Sequence, residues 1–361
     1  MREGFPIGTY RVERPLIQGG MGVGISLSGL AGAVAQAGGV GLISTAQIGF
    51  REPDFDEHPL EANLRAMAKE LQRARELAPK GVLGFNIMVA TREYSRYVEQ
   101  AIRSGADLIV SGAGLPMDLP GIRQKAAEKL GQVRTCLAPI VSSRKALSLI
   151  GRIWERRYHS YPDLIVIEGP KAGGHLGFTR EEAEQLSLDE YAAEVAQIQE
   201  EARALSERAG RKIPVAVAGG ISTRAVADRV FDIWGADAIQ VATRFVTTEE
   251  CDAPDAYKEA YLAAEASDVH ITQSPVGMPG RAIANEFLRR VEAGVRQPVT
   301  HCHRCLAKCD PKKIPYCITD ALVAAARGDM EHALIFCGAE VAECREMQTV
   351  PQVMAELLGD A

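Results

Sequence analysis

The 361-residue sequence has no apolar run long enough to span a bilayer. Its first residues, Met1-Arg2-Glu3-Gly4-Phe5-Pro6, lack the apolar stretch of a secretory leader. It also lacks a surplus of positive charge: 41 Lys and Arg stand against 47 Asp and Glu, a formal net charge of −6. These absences argue against a membrane-embedded protein and against a partner held by its phosphates, whether nucleic acid or anionic lipid. A cytoplasmic protein is expected, and in that compartment the eight cysteines should be thiols or metal ligands rather than disulfides.

What the chain does contain is a repeating alternation. Short apolar runs occur at Pro15–Gln18, Val40–Ser44, Val82–Ile87, Asp107–Ser111, Cys136–Val141, Asp163–Ile167, Pro214–Gly219 and Ala238–Val241. Helical patterns separate them, at Glu61–Glu76, Arg92–Ser104, Arg144–Arg157, Leu188–Ala209 and Thr223–Trp234. Strands alternating with helices build parallel sheets. Eight such units predict a (β/α)8 TIM barrel over residues 1–249, with an open doubly wound sheet as the alternative. The pattern then changes. Residues 250–300 read as a small helical insertion at the barrel mouth, 301–320 as a cysteine-rich segment, and 321–361 as a helical tail packed on the barrel.

Three glycine-rich turns follow predicted strands. Gln18-Gly19-Gly20-Met21-Gly22-Val23-Gly24 places four glycines in seven residues, a loop whose backbone can lie against a planar ligand. No acidic residue stands about 20 positions on, where a dinucleotide fold would hold a ribose. Ala218-Gly219-Gly220-Ile221 and Val241-Ala242-Thr243-Arg244-Phe245 follow the seventh and eighth strands. Barrels commonly bind phosphate there, although ordinary turns read the same way. Glu168-Gly169-Pro170-Lys171-Ala172-Gly173-Gly174-His175 follows the sixth strand. It combines close backbone approach with an imidazole able to move a proton at neutral pH.

Together with Gly84-Phe85-Asn86, Gly235–Phe245, Ala333–Ala339 and Thr349-Val350-Pro351, these segments resemble the nitronate monooxygenase family, which includes flavin-dependent enoyl-ACP reductases. The resemblance runs from about residue 12 into the tail. It implies an FMN-binding barrel and an oxidoreductase acting on a nitronate or an activated alkene, with NAD(P)H or a protein donor as possible reductant. It also implies that His175 is base or proton donor beside the flavin. FMN contacts are expected from Gln18, Gly20, Met21, Gly22, Asn86, Lys145, Glu168, Gly173, Gly174, Gly219, Gly220, Gln240, Ala242 and Thr243. Within that set Gly173, Gly174, Gly219, Gly220 and Thr243 would take the phosphate, and Lys145 would face the pyrimidine end, or else be a solvated helix lysine. Arg281 would meet a substrate carboxylate or phosphate, or serve as a cap or ion pair. Relatives commonly carry Glu where this chain has Lys171, which bears on the substrate more than on the fold. The helical tail can support a homodimer.

Cys302, Cys305, Cys309 and Cys317 follow a C-x2-C-x3-C-x7-C spacing in an otherwise polar stretch. Four thiolates this close can enclose a metal. The uneven steps favour a 4Fe–4S cluster. Zinc is the alternative, with His301 or His303 able to replace a thiolate. Two other functions stay open: a non-catalytic flavin and iron–sulfur electron carrier, and a sugar-phosphate barrel enzyme without flavin.

Overall fold

The computed structural model describes residues 2–275, 277–299 and 301–359; the expected boundary at residue 300 and the last two residues lie outside them. Eight parallel strands close into a barrel: β1 (Leu16–Gln18), β2 (Val40–Ser44), β3 (Val82–Met88), β4 (Leu108–Gly112), β5 (Cys136–Val141), β6 (Ile165–Glu168), β7 (Val215–Ala218) and β8 (Ala238–Val241). β8 pairs back onto β1 through Ile239 and Leu16, which completes the ring. These strands are short and apolar because both faces are covered. Their inner face packs on itself, and their outer face packs against helices.

An antiparallel hairpin precedes the barrel, pairing Phe5–Ile7 with Tyr10–Val12. Phe5, Ile7 and Val12 pack against Ile17, Val40, Leu108 and Val166 and join the interior core.

Around the ring run α1 (Ser28–Gln36), α2 (Pro59–Leu77), α3 (Tyr94–Arg103), α4 (Leu119–Leu130), α5 (Arg144–Tyr158), α6 (Leu188–Ala209) and α7 (Arg224–Asp232). Several begin where a hydroxyl caps free N–H groups: Ser143 accepts from Ala146 N, Thr223 from Val226 N, and Ser187 forms a capping box with Glu190. The eighth helical position is filled from the far end of the chain. α8 (Val350–Leu358), opened by a Thr349–Gln352 capping box, packs against α1 and α7.

The insertion after β8 differs from the expected helical one. It begins with Asp255–Leu262 and ends with Glu286–Glu292, both helical, but Val269–Gln273 and Pro279–Ile283 between them form an antiparallel pair. Gly174–His175 adds a third strand to this sheet. The β-branched Val269, Ile271 and Thr272 suit a strand. No helix among the described residues is long and apolar enough to cross a membrane.

Candidate active site

A cavity opens at the carboxyl ends of the barrel strands, where parallel barrels gather their functional loops. Of the expected residues, Gly20, Met21, Gly22, Asn86, Glu168, Gly173, Gly174, His175, Gly219, Gly220, Gln240, Ala242 and Thr243 line it. Two do not. Gln18 is buried and spent on the backbone, accepting from Leu42 N and donating to Gly19 O. Lys145 is exposed in the first turn of α5.

Several glycines are dictated by space. A Cβ on Gly20 would stand 2.4 Å from Asn86 Cβ, and one on Gly173 would stand 2.6 Å from the Cys337 carbonyl. Gly219 and Gly220 take φ of +95° and +78°, which side chains disfavour. Four segments thus meet at one end of the cavity: 169–174, 218–222, 242–244 and 337–340. Gly338 N donates to Thr243 Oγ1 at 2.9 Å. Among the described residues, the N–H groups of Gly173, Gly219 and Gly220 donate to no backbone carbonyl. Free N–H groups on residues that line a cavity can form an anion cradle.

Glu168 and Gln240 flank Ala218 in one row of the sheet, at the carboxyl ends of β6, β7 and β8. Gln240 is buried, and its Oε1 has no hydrogen-bond partner among the described residues. Such an orphan acceptor calls for a donor from a ligand. Burial pushes the Glu168 carboxyl up to about 7.

His175 follows the sixth barrel strand without lying at its end. β6 ends at Glu168, and Gly169-Pro170 turns the chain out of the barrel. His175 lies in the outer sheet opposite Gly280. Its Nε2 is 2.8 Å from Ser274 Oγ, and its ring meets Phe336 edge-on with centroids 5.2 Å apart. Burial holds the imidazole down to about 4, so it is neutral at pH 7. Arg281 is not free for a substrate: its guanidinium donates to the carbonyls of Pro170, Ala172 and Ala183 and is buried.

The opposite end of the cavity was not expected from sequence. Gln47, Tyr97, Cys305, Leu306, Ile318 and Thr319 line it. Asn63 Nδ2 donates to Gln47 Oε1 at 2.7 Å and to Tyr97 Oη at 2.8 Å, and Gln47 Nε2 donates to Thr319 Oγ1 at 3.2 Å. The cysteine-rich segment is clamped to the loop after β3: Arg92 N donates to Cys305 O at 3.0 Å, and Ala307 N to Ala90 O at 3.1 Å. His303 stacks on Phe55 and contacts Asp320 Oδ1 at 2.8 Å.

The four cysteines form no disulfide, and no group of three or more His, Cys, Asp or Glu among the described residues is arranged to hold a metal ion. Cys305 turns into the cavity wall beside Thr319, whereas Cys302 is exposed to solvent. Burial pushes the Cys305, Cys309 and Cys317 thiols up.

The profile of the nitronate monooxygenase family matches residues 5–360. The chain belongs to that family. It is 26% identical over 286 residues to the (3aS,4S,5R,7aS)-5-hydroxy-7a-methyl-1-oxo-octahydro-1H-indene-4-carboxyl-CoA dehydrogenase of Mycobacterium tuberculosis, covering 79% of this chain and 67% of that protein. It is 24% identical over 310 residues to a "Probable nitronate monooxygenase" of Staphylococcus saprophyticus, covering 79% of each. Among solved structures, FabK from Thermotoga maritima superposes with a TM-score of 0.70 at 23% identity, over 96% of this chain and 92% of that one. At that identity the likeness establishes the barrel fold alone.

The cavity can be tested against the flavin of this family. An FMN needs a phosphate cradle, backbone open to a flat ring, and polar partners for the ring edge. Free N–H groups at Gly173, Gly219 and Gly220, the glycine loop at Gly20 and Gly22 in the cavity lining, and the Gln240 Oε1 without a partner among the described residues meet those needs.

Proposed function

We propose that this chain is an FMN-dependent oxidoreductase acting on a nitroalkane, whose acidic C–H proton His175 would take as the base, or on the nitronate already formed, which His175 would only hold. The observation that carries this reading is a neutral, half-buried imidazole lining the same cavity as the anion cradle and the orphan acceptor. When bound, FMN supplies the electron chemistry. Gly173, Gly219, Gly220 and Thr243 would hold its phosphate, and Gly20, Met21, Gly22, Asn86, Glu168, Gln240 and Ala242 its ring and ribityl chain. A neutral imidazole accepts a proton from carbon without first losing one of its own. The Ser274 hydroxyl at Nε2 orients the ring, and Phe336 limits its rotation.

A second reading is reduction of an activated alkene with NAD(P)H or a protein donor, the reverse of the oxidation for which the mycobacterial relative, a carboxyl-CoA dehydrogenase, is named. There a neutral His175 N–H would polarise the substrate carbonyl. The cysteine spacing favours, on the same reading, a 4Fe–4S centre, or zinc, beside the cavity. Cys305 senses the charge of Cys302, and Cys317 that of Cys305. Closing four sulfurs on a metal would require Cys302 to turn inward from solvent.

The test is anaerobic purification, an absorption spectrum, and iron, sulfide and zinc analysis, followed by mixing with a nitroalkane or with NADH and NADPH. Bleaching of the flavin by the nitroalkane supports the first reading, and bleaching by a nicotinamide followed by reoxidation with an enoyl thioester supports the second. A purified chain without flavin overturns both.

A further inference from the structure

The lining of the cavity includes three basic side chains: Lys171, His175 and Arg244. His175 is neutral. Arg244 is saturated, donating to Ser222 O and Gln348 Oε1 at 2.9 Å and pairing with Glu356 at 2.6 Å. Lys171 has no such partner. Its Nζ reaches only the carbonyl of Glu184, at 3.4 Å, and no carboxylate lies within ion-pair distance among the described residues.

The position of Lys171 is fixed from its main chain outward. Its carbonyl accepts from Ala339 N at 3.1 Å, which ties it to the 337–340 loop. Its Cβ would lie 3.0 Å from a Cβ built on Gly220. It therefore stands where the four phosphate-end segments converge. A second cation lies behind it. Arg281 is buried, its N–H groups are taken by carbonyls, and its charge opposes that of Lys171. The carboxylates that act on this pair, Glu340 and Glu190, are exposed, and Glu190 is engaged in the α6 capping box. Two neighbouring cations, one buried and neither with a bonded carboxylate, leave a positive charge for a ligand to neutralise. A phosphate dianion seated on the Gly173, Gly219 and Gly220 N–H groups would do so.

We propose that Lys171 is the cationic contact of the phosphate held at this end of the cavity, and that this phosphate belongs to the flavin cofactor. The inference rests on the FMN reading above and adds a residue that discriminates FMN from riboflavin.

The experiment uses the flavin-stripped chain, titrated with FMN and separately with riboflavin, following flavin fluorescence at low and at raised salt. The wild-type chain should prefer FMN, and its FMN affinity should fall as salt rises. Lys171→Met should weaken FMN by about ten- to hundredfold, the range of a lost charge-assisted hydrogen bond, and leave riboflavin unchanged. Lys171→Arg should keep most of the preference. Circular dichroism of each variant guards against misfolding, and should Lys171→Met fail to fold, the salt dependence of the wild-type FMN-to-riboflavin ratio carries the test. A ratio unchanged in a folded Lys171→Met, or a wild-type ratio insensitive to salt, overturns the assignment while leaving the flavin reading standing. Binding of neither flavin by the wild-type chain overturns both.

Discussion

The two ends of the cavity are built differently. The end beneath β7 and β8 is made of backbone: Gly173, Gly219 and Gly220 present N–H groups, and their positions follow directly from strands that stop and turn. The far end is made of side chains brought from distant parts of the chain. Tyr97 comes from α3, Gln47 from the segment after β2, and Cys305 and Thr319 from beyond residue 300. Backbone recognition suits a part every catalytic cycle shares, and side-chain recognition suits a part that varies with the substrate. On the function proposed above, the first end would hold the cofactor and the second would select the substrate.

The largest effect should come where the two ends meet. His175→Asn keeps a polar side chain but removes a neutral base, and turnover with a nitroalkane should fall by about 10²- to 10⁴-fold, with FMN content retained. Loss of flavin together with turnover would show that His175 belongs to the cofactor end instead. Gly219→Ala should come next. At φ +95°, with a Cβ 2.9 Å from the Gly169 carbonyl oxygen, it should cost about 1–3 kcal/mol of stability and most of the FMN affinity. Thermal melts with and without FMN measure both. A variant that binds FMN normally would break the comparison at its backbone end.

These two positions also show what the sequence made legible. A strand that runs into paired glycines is a local signal, so the barrel, the Gly219-Gly220 turn and the Gly173-Gly174-His175 segment could all be read. Contacts that join remote segments had no such signal. His175 pairs with Gly280, and the cysteine segment meets Ala90 and Arg92. The spacing of Cys302, Cys305, Cys309 and Cys317 is local too, but it says nothing of where each sulfur points, and Cys305 points at the cavity. Lys145 had two readings, a flavin contact or a solvated helix lysine, because a basic residue after β5 has no sequence mark for the side of the helix it takes; it is exposed on α5. The helix that completes the ring, α8, lies more than 100 residues beyond β8.

The far end can be sharpened through its cysteines. Cys305→Ser should raise KM for the substrate several-fold and leave FMN affinity unchanged, because it alters a wall and not the cradle. Cys302→Ser, on the solvent side, should leave both constants unchanged. If instead each replacement removes bound iron or zinc together with activity, the four cysteines act as one metal centre and the far end is a redox partner of the cofactor.

The pH profile separates two half-buried titratable groups of the cavity lining. Burial lowers His175 to about 4 and raises Glu168 to about 7. A neutral imidazole is therefore present from well below pH 6 upward, and the acid limb of kcat/KM should lie near pH 4, not near 6.5. Stability responds with opposite signs. For His175 the folded value lies below the ordinary one, so stability is lost as pH falls from about 6.5 through 4. For Glu168 the folded value lies above the ordinary one, so stability is lost as pH rises from about 4.5 through 7. Glu168→Gln should remove the second loss and flatten melting temperatures between pH 5 and 8. A wild-type profile with an acid limb near 6.5 would mean that His175 is solvated, and would remove the reason for calling it a base at neutral pH.

The smallest effect is expected at Lys145, and it marks where the cofactor end stops. Both lysines follow barrel strands, yet Lys171 is tied to the phosphate-end loops, whereas Lys145 is exposed on α5 and absent from the cavity lining. An exposed cation outside the cavity acts on a bound phosphate only through screened solvent. Lys145→Met should therefore change FMN affinity by less than about twofold, against the ten- to hundredfold expected at Lys171, and it should leave the FMN-to-riboflavin ratio unmoved. Equal effects at the two lysines would mean that the phosphate responds to overall charge and not to a built contact, and the cradle would then be the four glycine-rich segments alone.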